Sequence, residues 1–148
     1  MQHKKVTSEK FSVKQIIVLA LLFMMVGTLL ELYLLDHYED TSQLIPVLCI
    51  AFSLTNLIIL LFKKSKKIIN LFKLMLVLTS LSGVYGVFLH LQSNFEFEQD
   101  MKPTATNCEL FSESLSGALP TLAPMSMLVL ALIGYSYLIL IKQQNEKI

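Results

Sequence analysis

Residues 44–69 read LIPVLCIAFSLTNLIILLFKKSKKII. An apolar run of helical length meets a cluster of four lysines around Ser65 and gives way at once to another apolar run. At about 1.5 Å of rise per residue, a run such as Leu44–Phe62 is long enough to cross a hydrocarbon layer of about 30 Å. Ordinary soluble helices show a narrower apolar stripe with polar faces between. The stretch therefore reads as a transmembrane hairpin pinned at one membrane face by Lys63, Lys64, Lys66 and Lys67. Outward from it, comparable runs occupy about 13–35, 68–91 and 118–141, with a loop over 92–117. The expected fold is all-α, an integral membrane four-helix bundle forming a single domain over residues 1–148.

Composition agrees, with 54% hydrophobic and 16% charged residues and a mean hydropathy of +0.62. The net charge of +1 conceals a strong segregation. If the runs alternate in direction, every lysine except Lys102 lies on one side, while Asp36, Glu39, Asp40, Glu96, Glu98, Asp100, Glu109 and Glu113 lie on the other. The positive-inside rule makes the lysine side cytoplasmic, so both termini are expected inside. The expected location is the inner membrane of a bacterial cell, because the chain is rich in Lys, Ile and Asn and has no Arg or Trp. Ile16–Leu30 behind a basic start resembles a signal peptide, but no small-x-small cleavage site follows it, so the run is read as a retained span. The lysine clusters lie beside the membrane, where anionic lipid explains them, and no nucleic-acid signature is present.

Small and polar residues bring membrane helices together. By helical spacing, the inward stripes are Ala20–Met24–Gly27–Glu31, Pro46–Cys49–Ser53–Asn56, Thr79–Gly83–Gly86–His90 and Pro120–Pro124–Met127–Ala131–Gly134, with kinks expected near the two prolines of the fourth. Glu31 and His90 thus fall on inward faces near the outer end. A carboxylate within a span costs at least about 2.5 kcal/mol and is usually paired or functional. Above it, the strings ELYLLDHYED (31–40) and HLQSNFEFE (90–98) each leave the membrane with imidazole and carboxylates close together.

Imidazole with carboxylate oxygen suits a transition-metal ion such as Zn, Fe, Mn or Cu. The candidate ligands are Glu31, His37, Glu39, His90, Asn94, Glu96 and Glu98. A haem between His37 and His90 fits less well, because His37 falls about 80–120° around the helix from the Gly27/Glu31 stripe if the helix continues that far. A di-iron site would want Glu-x-x-His pairs, which are missing. Cys49 and Cys108 allow a disulfide in an oxidising compartment, but nothing forms a CxxC redox motif.

In size, in four spans and in a Glu of the first span, here Glu31, the chain resembles the small multidrug-resistance transporters. That resemblance implies a carboxylate exchanging protons for cationic drugs. Glu31 lies near the end of its span, no Trp is present and loop 92–117 is long, so the likeness extends no further. The leading expectation is a metal-cation-binding or accessory subunit. A proton- or cation-coupled transporter using Glu31, and a structural subunit without a site of its own, are the alternatives. The expected partners are the lipid bilayer and either further copies of the chain or a larger membrane complex. No nucleophile–base pair or phosphate loop points to an enzyme.

Overall fold

The computed structural model describes residues 12–145. They form α1 (Val13–Leu34), α2 (Thr41–Phe62), α3 (Lys66–Met101), the short α4 (Asn107–Ser114), and α5 (Ser126–Asn145), which is entered through a 3-10 turn at Ala123–Met125. No strand occurs among the described residues. Four helices are long and apolar enough to cross a membrane: α1, α2, α3 and the continuous stretch Ala123–Gln144.

Local chemistry sets the helix starts. Ser12 accepts from the Gln15 N–H while Gln15 Oε1 accepts from the Ser12 N–H, a reciprocal pair that satisfies two orphan donors. Gln43 Oε1 reaches back to the backbone N–H groups of Glu39 and Asp40 at the start of α2. Ser65, in the middle of the lysine hairpin, caps α3 through the Ile68 N–H. Pro46 lies inside α2, past its first turn, and leaves the Ser42 carbonyl without its partner in the helical ladder.

The four long helices form a ring in which α1 packs on α2, α2 on α3, α3 on α5 and α5 on α1. Leu21 and Met25 of α1, Ile50, Leu57 and Leu60 of α2, Phe72 and Leu76 of α3, and Leu130, Tyr137 and Ile141 of α5 fill its centre. A buried Ser53–Thr79 hydrogen bond of 3.0 Å ties α2 to α3. The α3/α5 contact depends on missing side chains: a Cβ on Gly83 would lie 2.7 Å from the Pro124 carbonyl oxygen, and one on Gly134 would lie 2.5 Å from Leu76 Cδ2. Ser53, Asn56, Thr79, Gly83, Met127 and Gly134 are buried, so most of the second, third and fourth stripes faces inward, while Pro120 is exposed. Outside the ring, Phe23, Phe52, Leu81 and Leu132 are more than half exposed, which gives the bundle an apolar outer surface.

Three features depart from the sequence reading. Gly27 and Glu31 are exposed, and nothing lies within 4 Å of a Cβ built on Gly27. The inward face of α1 is instead the apolar Leu21–Met25 stripe. Because α1 is apolar all round, its lipid-like and core-like faces look alike in sequence. The third helix continues from Leu91 to Met101, and much of the supposed loop 92–117 is this extension plus α4, which folds back on it. Pro120 and Pro124 precede α5 instead of kinking it, so the fourth helix starts later than residue 118.

Candidate functional site at the acidic end of the bundle

The carboxylates and two histidines collect where α1 ends, α2 begins and α3 emerges. The end of α1 shapes this region. The His37 N–H donates to the Leu32 carbonyl at 2.9 Å and the Asp36 N–H to that of Tyr33 at 3.2 Å. These are the paired bonds of a Schellman ending, with Asp36 at φ 51 in the left-handed position that usually holds glycine. Asp tolerates that conformation better than most residues. Its carboxylate also accepts from the Tyr38 hydroxyl at 2.9 Å. The Tyr38 ring stacks on Tyr33 with centroids 5.8 Å apart.

The turn takes His37 out of the α1 register and carries it over to α3. Its ring centroid lies 6.4 Å from that of His90, with the planes at 69° and edge to face. The expectation that His37 would face away from His90 rested on a helix running through it. That helix stops at Leu34. His37 is half-buried, and its pKa is pushed below the usual imidazole value, first by burial and then by the nearby charge of His90.

His90 Nδ1 lies 3.1 Å from the Pro120 carbonyl oxygen. A carbonyl only accepts, so Nδ1 carries a proton, and in the neutral imidazole Nε2 is then the nitrogen with the lone pair. Metal-binding histidines are commonly held in this way, with the far nitrogen donating to a backbone carbonyl. Two imidazoles sharing one tetrahedral ion, with bonds of about 2.0–2.1 Å, have ring centroids about 5 Å apart. The observed separation of 6.4 Å is wider than that.

Asn94 plays a different part. It is buried, and its Nδ2 shares two hydrogens among the Leu119 carbonyl at 2.8 Å, the Ser114 carbonyl at 3.0 Å and Thr121 Oγ1 at 3.1 Å. Its Oδ1 accepts from the Leu119 N–H at 2.9 Å. Thr121 in turn donates to the Ser114 carbonyl. Asn94 is thus a clip holding residues 114–121 against α3, and Gly117 is its mould: a Cβ there would lie 2.5 Å from Asn94 Cγ. By fixing Leu119, the clip also positions the neighbouring Pro120 carbonyl that holds His90.

The other candidates are dispersed. Glu96 accepts from Gln92 Nε2 at 2.8 Å, one turn away on α3. Lys102 makes ion pairs with Glu98 at 3.4 Å and Glu113 at 2.6 Å, which tie the end of α3 to α4. Glu39 is exposed, and Glu31 stands on the outer side of α1, away from the ring's centre. Among the described residues no three His, Cys, Asp or Glu side chains gather as a metal site. Of the seven expected ligands, the structure brings His37 and His90 together. Cys49 and Cys108 are both free thiols, on α2 and α4.

Asp36, Ser114, Pro120 and Thr121 complete this region; the sequence placed Asp36 among the segregated carboxylates and Pro120 in the fourth stripe, but gave none of the four a part in the site. Only Asp36 carried a readable signal, as a residue able to adopt positive φ directly after an apolar run. No family model, curated protein or solved structure matches the chain. Its fold and site define a four-helix bundle of membrane-spanning proportions with an imidazole pair at its acidic end.

Proposed function

We propose that this chain is a multi-pass inner-membrane protein, with both termini cytoplasmic, that binds a transition-metal cation at its extracytoplasmic end and serves as an accessory subunit of a larger membrane complex. The apolar outer surface and the segregation of lysine from carboxylate support the membrane placement. The observation that carries the metal reading is the His37–His90 pair, with His90 oriented by Pro120 so that Nε2 is available. Two neutral imidazoles suit Zn, Cu(II), Fe or Mn and leave coordination positions open. An incomplete ligand set fits a subunit that shares or hands on its ion, with the remaining ligands supplied by water, by Glu39 nearby in the chain, or by a partner. Glu31 on the outer side of α1 favours this reading over a transport route with Glu31 as the titrating group inside the bundle.

Elemental analysis with an absorption spectrum, on protein purified in detergent and reloaded with each metal, tests the proposal. Near-stoichiometric metal is expected in wild type and in Glu31→Gln, and is expected to be lost in His37→Ala and in His90→Ala. Metal content that both histidine substitutions leave unchanged would refute it, as would a wild type that takes up none.

A further inference from the structure

The α3/α5 interface is closed toward the ring's centre by glycine and open on its outer side. The pairing of Gly134 with Leu76 and of Gly83 with Leu128 shows the two helices running antiparallel. Between them lies a trough of about 260 Å³, walled by Val77 and Ser80 of α3 and by Ala131 and Leu132 of α5, with Lys73 and Tyr135 at one end. The short side chains of Ser80 and Ala131 create the space. Its exposed lining is almost wholly apolar. Such an open apolar lining suits hydrocarbon, and the ammonium at its end favours a chain that carries an anionic headgroup.

Lys73 gives the trough a direction. From Lys66 to Lys73 is about 10 Å along the α3 axis, so this ammonium starts well inside the apolar part of the helix. The other described lysines sit in loops, at helix caps or in terminal turns. Lys73 has no ion-pair partner among the described residues, and every described carboxylate lies at the opposite, acidic end of the bundle. A lysine within a span is costly and reaches toward the interface for a counter-charge. Nothing described in this chain supplies that charge.

We propose that the α3/α5 trough binds one anionic phospholipid of the cytoplasmic leaflet, its acyl chain lying along Val77, Ser80, Ala131 and Leu132 and its phosphate paired with Lys73. This rests on the membrane reading above and is independent of the histidine pair. A lysine near an anionic surface contributes about 1 kcal/mol, which corresponds to about a fivefold preference for an anionic over a zwitterionic headgroup.

The test is native mass spectrometry of the full chain released from detergent after titration with phosphatidylglycerol or phosphatidylcholine of identical acyl chains. Wild type is expected to retain one phosphatidylglycerol with about a fivefold preference. Lys73→Gln should bring the preference close to one, and Lys73→Arg should keep it. Ala131→Leu, which fills the trough, should reduce retention of both lipids, with circular dichroism confirming an intact bundle. Equal retention of the two lipids by wild type, or an unchanged preference in Lys73→Gln, overturns the inference and leaves the membrane reading intact. Cross-linking of Val77→Cys or Leu132→Cys into dimers in place of lipid retention also overturns it, by showing a second copy over the trough. Failure to associate with vesicles of either lipid overturns the membrane reading along with it.

Discussion

Replacing Asn94 with Ala tests whether this residue is the clip that organises the acidic end. The side chain makes four close contacts of 2.8–3.1 Å, three through Nδ2 and one through Oδ1. A typical net contribution is about 1 kcal/mol per hydrogen bond, and a buried partner left unsatisfied costs about 1–3 kcal/mol. Not all of this is lost: Ser114 keeps the Thr121 hydroxyl as a donor, and Leu119 is 42% exposed, so water reaches its backbone in the mutant. The expected loss is therefore about 3 kcal/mol of local stability, which amounts to about a 100-fold rise in opening of residues 114–121. Amide hydrogen exchange reads it directly, because the Leu119 N–H is held by Asn94 Oδ1. Asn94→Asp should do no better than Ala, since it keeps that acceptor but sets a carboxylate against three oxygens. Gly117→Ala should resemble both by displacing the intact side chain, and combining it with Asn94→Ala should add little, because both break one network. Helix exchange in α1 and α2 should be unaffected. Leu119 exchange within about threefold of wild type in Asn94→Ala would refute the clip.

Other perturbations separate local causes. Asp36→Gly relieves a left-handed non-glycine residue and should raise stability by up to about 1 kcal/mol in thermal unfolding, whereas Asp36→Val should lower it and separate the two imidazoles. Gly83→Ala drives a Cβ against the Pro124 carbonyl and should cost about 1–3 kcal/mol in unfolding by heat or SDS. Gly27→Ala meets open space and should be neutral or stabilising by up to about 1 kcal/mol in the same assay. Because the folded chain holds the His37 pKa below its unfolded value near 6.5, the unfolded chain takes the proton first as pH falls. Stability should therefore be full above about pH 6.5 and decline below it through the lowered pKa. His37→Gln should flatten that decline in a pH series of melting temperatures.

The architecture was legible because length and charge are long-range, redundant signals. Four apolar runs and a lysine hairpin mark helices and their ends whatever the details of packing. Facing was legible where polar atoms or missing side chains had to meet a neighbour, as at Ser53, Thr79 and Gly83. It failed at Gly27 and Glu31, because an all-round apolar helix offers no contrast and two residues near one end do not determine which side faces the ring. Within the site, His37 and His90 were named from their chemistry, but their approach depends on one positive-φ residue that periodicity does not encode. Asn94 was taken for a ligand because it lies in the same string as His90, Glu96 and Glu98. Its four partner atoms are largely backbone groups 20 to 27 positions along, invisible to any local pattern.

At 36 residues, or about 54 Å, α3 outreaches every other element and runs unbroken past its close contact with Pro124 at Gly83 and Gly86. Mechanically that contact is a fulcrum, with arms of about 22 Å to Met101 and about 26 Å to Lys66. A 10° tilt about it would swing the two tips in opposite directions by about 4 Å. Because α2 and α5 pack along the same rod, such a tilt would have to carry them with it, so the acidic end and the lysine hairpin share one rigid element and not two separate ones.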